Sequence, residues 1–162
     1  MIFRHRKKLN TREISQKDRE SLAALLQSTT VIHRHFGWFP PLDWLGKQPF
    51  LAVSKNQYIL AALACPPDPP QIAWIRLFAS VPSFSPKEAW HILWPLARKK
   101  LKEEGMTKTA AIIVVQDWLQ ESLQESGFTQ EYQVNVLTRK ITHAPLPDIQ
   151  SEASIRAMQK KD

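Results

Sequence analysis

The residues Ser85-Pro86-Lys87-Glu88 constrain the fold more than any other stretch. The serine can cap a helix, the proline sits without penalty at the first helical position, and the glutamate completes a capping box. Ala89, Ile92, Leu93, Leu96, Ala97 and Leu101 then recur at helical spacing as far as Gly105, a natural stop. The chain is therefore committed to a long amphipathic helix in its second half. Pro95 falls inside that helix and is expected to kink it, at a cost of ~3 kcal/mol unless packing offsets it. Trp90 and Trp94, four apart, share a face and are expected in the core.

The other elements follow from local pattern. Thr11 to Ile14 reads as a short strand. Ser15-Gln16-Lys17-Asp18 reads as a second capping box, opening a helix from Lys17 to Gln27 with Leu22, Leu25 and Leu26 at helical spacing. Residues 31 to 49, broken by Pro40-Pro41, read as irregular. Phe50 to Ser54 and Tyr58 to Cys65 read as strands joined by the turn Lys55-Asn56-Gln57. Pro66 to Pro70 reads as a loop, because proline cannot donate to a ladder. Ile72 to Ser80 reads as one strand, and Thr109 to Val115 as a strand buried on both faces. Asp117 to Glu125 reads as a short helix ended by Gly127, Gln133 to Thr138 as a final strand, and Ile141 to Ser154 as a linker. This order predicts an α/β (α+β) fold: a mixed, mostly antiparallel sheet with helices on both faces.

Composition sets the outer limits. The 162 residues, 43% of them hydrophobic, suit one domain with a real core. No apolar run reaches the ~18 residues of a membrane span, and Met1 to Asn10 lacks the apolar stretch of a secretory signal. Cys65 is the only cysteine, so a reducing, cytoplasmic setting is expected. The net charge of +7 gathers partly at Arg4, Arg6, Lys7, Lys8 and Arg12. Such an arm admits a basic nucleic-acid-binding module as one alternative; a solvated terminus is the plainer reading, and nucleic acid is not expected as a partner. His33 and His35, two apart, lack further ligands at short spacing save Asp43, so no metal is expected. Phe36, Trp38, Phe39 and Trp44 would line an acceptor or partner pocket, or plug the core under a long loop.

Several residues resemble GNAT-type N-acetyltransferases. The strand ending Leu77-Phe78-Ala79-Ser80-Val81 runs through Pro82-Ser83-Phe84 into the long helix, and Ser126-Gly127-Phe128 is similar to the Gly-Phe that follows the family's last helix. The resemblance covers about residues 9 to 140. It implies a GNAT-like fold and acetyl-CoA as cofactor, with the backbone of Phe78, Ala79, Ser80 and Val81 along the pantetheine arm and Ser85 and Lys87 at the phosphates.

The departures from that family are informative. In line with its Arg-Gly-x-Gly-x-Gly stands Ser85-Pro86-Lys87-Glu88-Ala89-Trp90, with every glycine position filled. Glycines serve there because backbone amides must approach a diphosphate closely; Pro86 has no amide, and Glu88 brings like charge. Leu123 stands where many members have a proton-donating tyrosine, and Arg76 is the only ionisable residue between Ile72 and Ser80. No catalytic residue is assigned. The resemblance thus implies a degenerate domain with weak or absent acetyl-CoA binding, supporting or regulating a partner acyltransferase domain. The alternative is an active N-acetyltransferase with an unusual cofactor loop. Arg12 to Asp18 is echoed by Arg156 to Asp162. The expected organisation is a domain over 1–140, a linker over 141–153, and the start of a second GNAT domain over 154–162, with that domain or a second copy as partner.

Overall fold

A computed structural model describes residues 9–37, 39–68, 71–114, 117–134 and 138. The chain divides into two units, Met1–Thr129 and Gln130–Asp162, and the first holds all the helices and strands described. Its elements are β1 (Asn10–Glu13), α1 (Arg19–Ser28), β2 (Val31–Arg34), β3 (Phe50–Lys55), β4 (Tyr58–Ala64), β5 (Pro67–Asp68), β6 (Ile72–Trp74), β7 (Leu77–Ser80), α2 (Pro86–Glu103), β8 (Lys108–Ala110) and α3 (Asp117–Glu125). The expected linker and second-domain start, 141–162, lie outside the described residues.

β1, β3, β4, β7 and β2 form one sheet in that order, antiparallel throughout. β5, β6 and β8 form a second, in which β6 and β8 run parallel. The sheets are therefore mostly antiparallel, as expected. Period-two alternation divides the larger sheet between two cores. Leu51, Val53, Ala61, Leu63 and Phe78 face the layer built by Trp90, Leu93, Ala97, Leu119 and Leu123 of α2 and α3. Phe50, Ala52, Ala62, Ala64, Leu77 and Ala79 face Leu22 and Leu25 of α1. The helices thus lie on both faces.

Both helix starts are capped by a bond between the expected residues. The Ser15 amide donates to Asp18 Oδ2 at 3.0 Å, ahead of a single 3-10 turn that leads into α1. The Glu88 amide donates to Ser85 Oγ at 3.3 Å at the start of α2. α2 runs on through Pro95, which sits on the exposed face with His91, so the carbonyl that lacks a partner there falls on the solvent side. Trp90 and Trp94 stack with centroids 5.4 Å apart, Trp94 meets Phe128, and Trp90 meets Phe78 edge-on. Gly127, at φ +87°, ends α3 in a conformation that favours glycine, and the Phe128 amide returns to the Leu123 carbonyl at 3.0 Å, as in a helix C-cap.

Four expectations are corrected. Ile72–Ser80 is two strands, because the chain changes partners at Ile75-Arg76: the Ile75 amide donates to Ala110 O and the Arg76 amide to Ala64 O, each at 2.9 Å. Pro67-Asp68, read as loop, forms a two-residue bridge to β6, an edge position where proline's missing donor costs nothing. Thr109–Val115 is not buried on both faces. β8 pairs only with β6 among the described residues, and Ile112 and Val114 are exposed, the latter by 75%. Val31–Arg34, read as irregular, is a strand on β7. The final strand expected over Gln133–Thr138 falls largely outside the described residues, and Gln133 and Val134 carry no strand.

Trp90 joins the sheet, α2 and the end of α3, since its indole N–H donates to Ser126 Oγ at 2.8 Å and its ring is fully buried. Trp90→Ala is expected to lower unfolding free energy by ~3–5 kcal/mol, read by urea denaturation. A loss under ~1 kcal/mol would show that the aromatic stack is not central to the core.

Candidate functional site

The site implied by the resemblance lies along β7 and at the start of α2. β7 has neighbours on both edges. β4 pairs along one, from Ala61 opposite Ser80 to Ala64 opposite Leu77; β2 pairs along the other, from Val31 opposite Ser80 to Arg34 opposite Leu77. The Val81 amide donates to Leu60 O at 2.8 Å, and Val81 O accepts from the Phe84 amide at 3.0 Å. The Ser80 hydroxyl, fully buried, donates to Phe84 O at 2.7 Å. Phe78, Ala79, Ser80 and Val81 thus lie along and just past β7, between β4 and β2.

At the start of α2, Ser85 Oγ accepts the Glu88 amide, and Pro86 has no amide to offer. Lys87 Nζ meets Glu125 Oε1 of α3 at 2.5 Å, and His91 Nε2 lies 3.5 Å from Glu125 Oε2. The hydrogen bond from Lys87 holds the Glu125 carboxyl below its usual range. Lys87 and Ser85, expected at the phosphates, are both engaged. At the two expected anchors, Pro86 leaves the helix start one amide short and β4 and β2 occupy the two edges of the strand.

The strand change at Ile75-Arg76 organises the other end of β7. The Arg76 guanidinium pairs with Asp68 at 2.6 Å and lies over Trp44, 4.7 Å from its ring centre, and over Trp74 at 5.7 Å. Lys47 also lies over Trp44, at 4.7 Å, and over Phe39 at 5.9 Å. Phe39 and Trp44 meet edge-on at 5.7 Å. Of the expected aromatic pocket, Phe39 and Trp44 come together, Phe36 is 76% exposed, and Trp38 lies outside the described residues. Phe39 and Trp44, with Lys47 and Arg76 over their rings, form a cation-decorated cluster.

The two histidines serve β2. His33, 5% exposed, holds Nε2 3.2 Å from Ile75 O, and burial lowers its pKa. The His35 ring packs edge-on to Trp74 at 5.2 Å. Burial, with the nearby Arg76 charge, lowers the His35 pKa to about 4, opposed by Asp68. His35 Nδ1 and Arg76 Nε are buried without a hydrogen-bond partner among the described residues. Leu123 is buried in the core, and burial pushes the Cys65 thiol up to about 12, so neither offers acid–base or nucleophilic chemistry. A cavity of about 410 Å³ lies between β1 and α2, beside Arg12, Glu13, Leu96 and Lys99, and includes none of the expected site residues.

Reading the sequence missed β2, the Thr29 side chain that joins it to β7, and the Arg76–Asp68 pair. The run Thr29-Thr30-Val31-Ile32 is β-branched throughout and carried the strand signal. The pairing of Arg76 with Asp68 carries no local signal, because it depends on where the chain changes sheets.

No family model and no curated protein matches the chain. Solved structures do. One is the aminoglycoside N-acetyltransferase AAC(6')-Iy in complex with CoA, at 13% identity and TM-score 0.62, over 86% of this chain and 99% of that one. A second is Ard1 from Thermoplasma volcanium, at 18% identity and TM-score 0.63, over 76% and 84%. A third is an aminoglycoside acetyltransferase from an uncultured soil metagenomic sample, at 14% identity and TM-score 0.57, over 83% and 97%. The chain has the GNAT acetyltransferase fold. At these identities the likeness extends to the fold alone. No helix among the described residues is long and apolar enough to cross a membrane.

Both histidines are held neutral in the folded chain, below the ordinary value of 6.5. Their stabilising contribution is therefore complete above pH 6.5 and is lost as pH falls, for His35 down to about 4. The melting temperature is expected to decline between pH 6.5 and 4.5, and a His33→Gln/His35→Gln chain to show a flatter profile over that range. An identical slope in both chains would contradict this assignment.

Proposed function

We propose that this GNAT-fold domain has weak or lost acetyl transfer of its own and supports or regulates a partner acyltransferase domain. The observation that carries the reading is the start of α2. A phosphate-binding helix start needs free amides and positive potential. Here Pro86 removes one amide, the Ser85 side chain takes another, Glu88 places a carboxylate in the first turn, and Glu125 neutralises Lys87. Leu123 offers no acid–base group, Arg76 is paired to Asp68, and the two histidines beside β7 are buried, His33 against the Ile75 carbonyl and His35 against Trp74.

The partner in this reading is a second GNAT domain or a second copy of the chain. The exposed Phe36 and Phe39 suit a contact surface, because aromatic side chains are enriched at interfaces. A cytoplasmic setting goes with this reading. The rival, an active acetyl-CoA-dependent N-acetyltransferase, draws support from the CoA bound in the AAC(6')-Iy structure.

Calorimetry with acetyl-CoA decides between them. The expected result is a dissociation constant weaker than ~1 mM, which is less than ~4 kcal/mol of binding. Micromolar binding would sink the proposal and establish the rival. Glu88→Gly is expected to strengthen binding if the carboxylate is part of the obstacle.

A further inference from the structure

The edge of β7 opposite β4 is closed by a segment of the chain itself. Adjacent residues of a strand address opposite neighbours. The Val81 amide reaches Leu60 on the β4 side, so Ala79 and Leu77 also turn that way, and Phe78 and Ser80 turn toward β2. Side chains fasten β2 at both ends. The Thr29 hydroxyl donates to Ser80 O at 2.5 Å and accepts from the Val31 amide at 3.0 Å. At the other end the His35 amide donates to Arg76 O at 3.0 Å, and His33 Nε2 sits 3.2 Å from Ile75 O. Thr29 and His33 are both buried polar groups, and each has its partner on this strand run. Between them, Ile32 packs into the core beneath α1.

We propose that β2 is an internal occupant of the groove along β7, closing it to any extended, amide-bearing ligand, the pantetheine arm of an acyl-CoA in particular. The inference rests on the reading of this domain as a GNAT fold without ordinary cofactor use, and adds to it a second obstacle independent of the first. Pantetheine is an extended chain with two amides, so it would compete with β2 for the same backbone groups of Phe78 and Ser80. Each of those amides can donate to only one acceptor at full strength. Restoring glycines at the start of α2 would reopen the phosphate end and leave the groove filled.

The test uses the full chain, labelled with nitrogen-15, and D-pantetheine as the probe. Pantetheine carries no phosphate, so it does not sense the start of α2. In the wild type, the amides of Phe78 and Ser80 are expected to be as protected from hydrogen exchange as those of Leu77 and Ala79, and to show no shift with ~10 mM pantetheine. Thr29→Ala/His33→Ala removes both fastenings. It is expected to speed exchange at Phe78 and Ser80 by about tenfold or more, since each net hydrogen bond is worth ~1 kcal/mol. Pantetheine should then shift those two amides. Unprotected Phe78 and Ser80 amides in the wild type would overturn the inference even if the variant does not fold. So would wild-type shifts with pantetheine, or a folded variant with fast exchange and no shifts. A Pro86→Gly/Glu88→Gly chain in which CoA shifts the Phe78 and Ser80 amides while β2 amides stay protected would also overturn it, and would leave the argument about the helix start standing.

Discussion

The change of partner at Ile75-Arg76 is the constraint on which the rest of this structure depends. One continuous run, Ile72 to Ser80, serves two sheets, and Arg76 is the residue where it crosses. Its amide bonds β4 and its carbonyl bonds His35, so the peptide groups on its two sides point to opposite neighbours. Its side chain then joins Asp68 of β5 to the rings of Trp44 and Trp74. A guanidinium only 13% exposed is costly to desolvate unless it is paired, and here a carboxylate and two aromatic faces share that role. The irregular segment before β3, the small sheet and the large sheet meet at one side chain.

That crossing also explains why some of the molecule was legible in its sequence and some was not. Helix starts are local events. Ser85-Pro86-Lys87-Glu88 and Ser15 to Asp18 carry the groups their caps need within four residues; α2 begins where those residues place it, and α1 begins at Arg19 after a 3-10 turn over Gln16–Asp18. The apolar runs Phe50 to Val53 and Ala61 to Ala64 are equally local and marked the strands, which are covered on both sides, but which face each residue takes needed the fold. Partner choice is not local. Nothing within Ile72 to Ser80 marks Ile75-Arg76 as a break, because the break exists only relative to Ala64 and Ala110, contacts distant in the chain. β2 was obscured for a related reason: its β-branched run is short, and the aromatics and prolines after it suggested a single irregular segment. At the candidate site, the engagement of Ser85 could be read from the sequence, whereas the engagement of Lys87 by Glu125 and of β7 by β2 needed the fold.

The fold likeness and the site chemistry point in different directions, and the physical groups involved show why both can hold. A GNAT-like arrangement requires strands of certain lengths, a crossing point and a long helix behind the sheet. Those demands are met by hydrophobic alternation and helix periodicity, which tolerate wide sequence change; an identity of 13–18% with solved acetyltransferases is compatible with them. Cofactor recognition makes a separate demand: backbone donors and acceptors must be left unsatisfied until the cofactor arrives.

Such unsatisfied groups are a liability in any fold whose cofactor is absent. A free helix start leaves amides to water, and a free strand edge presents a row of donors and acceptors to any extended chain. This chain satisfies both internally. Ser85 takes an α2 amide, Glu88 and Pro86 complete a helix start that needs no ligand, and β2 covers the strand edge with a buried threonine and a buried histidine at its two ends. Each of these internal bonds fills a hydrogen-bonding need of the folded chain. The groups that a cofactor would complete have been completed by the protein, and reopening either end would expose backbone that the present fold has already paired.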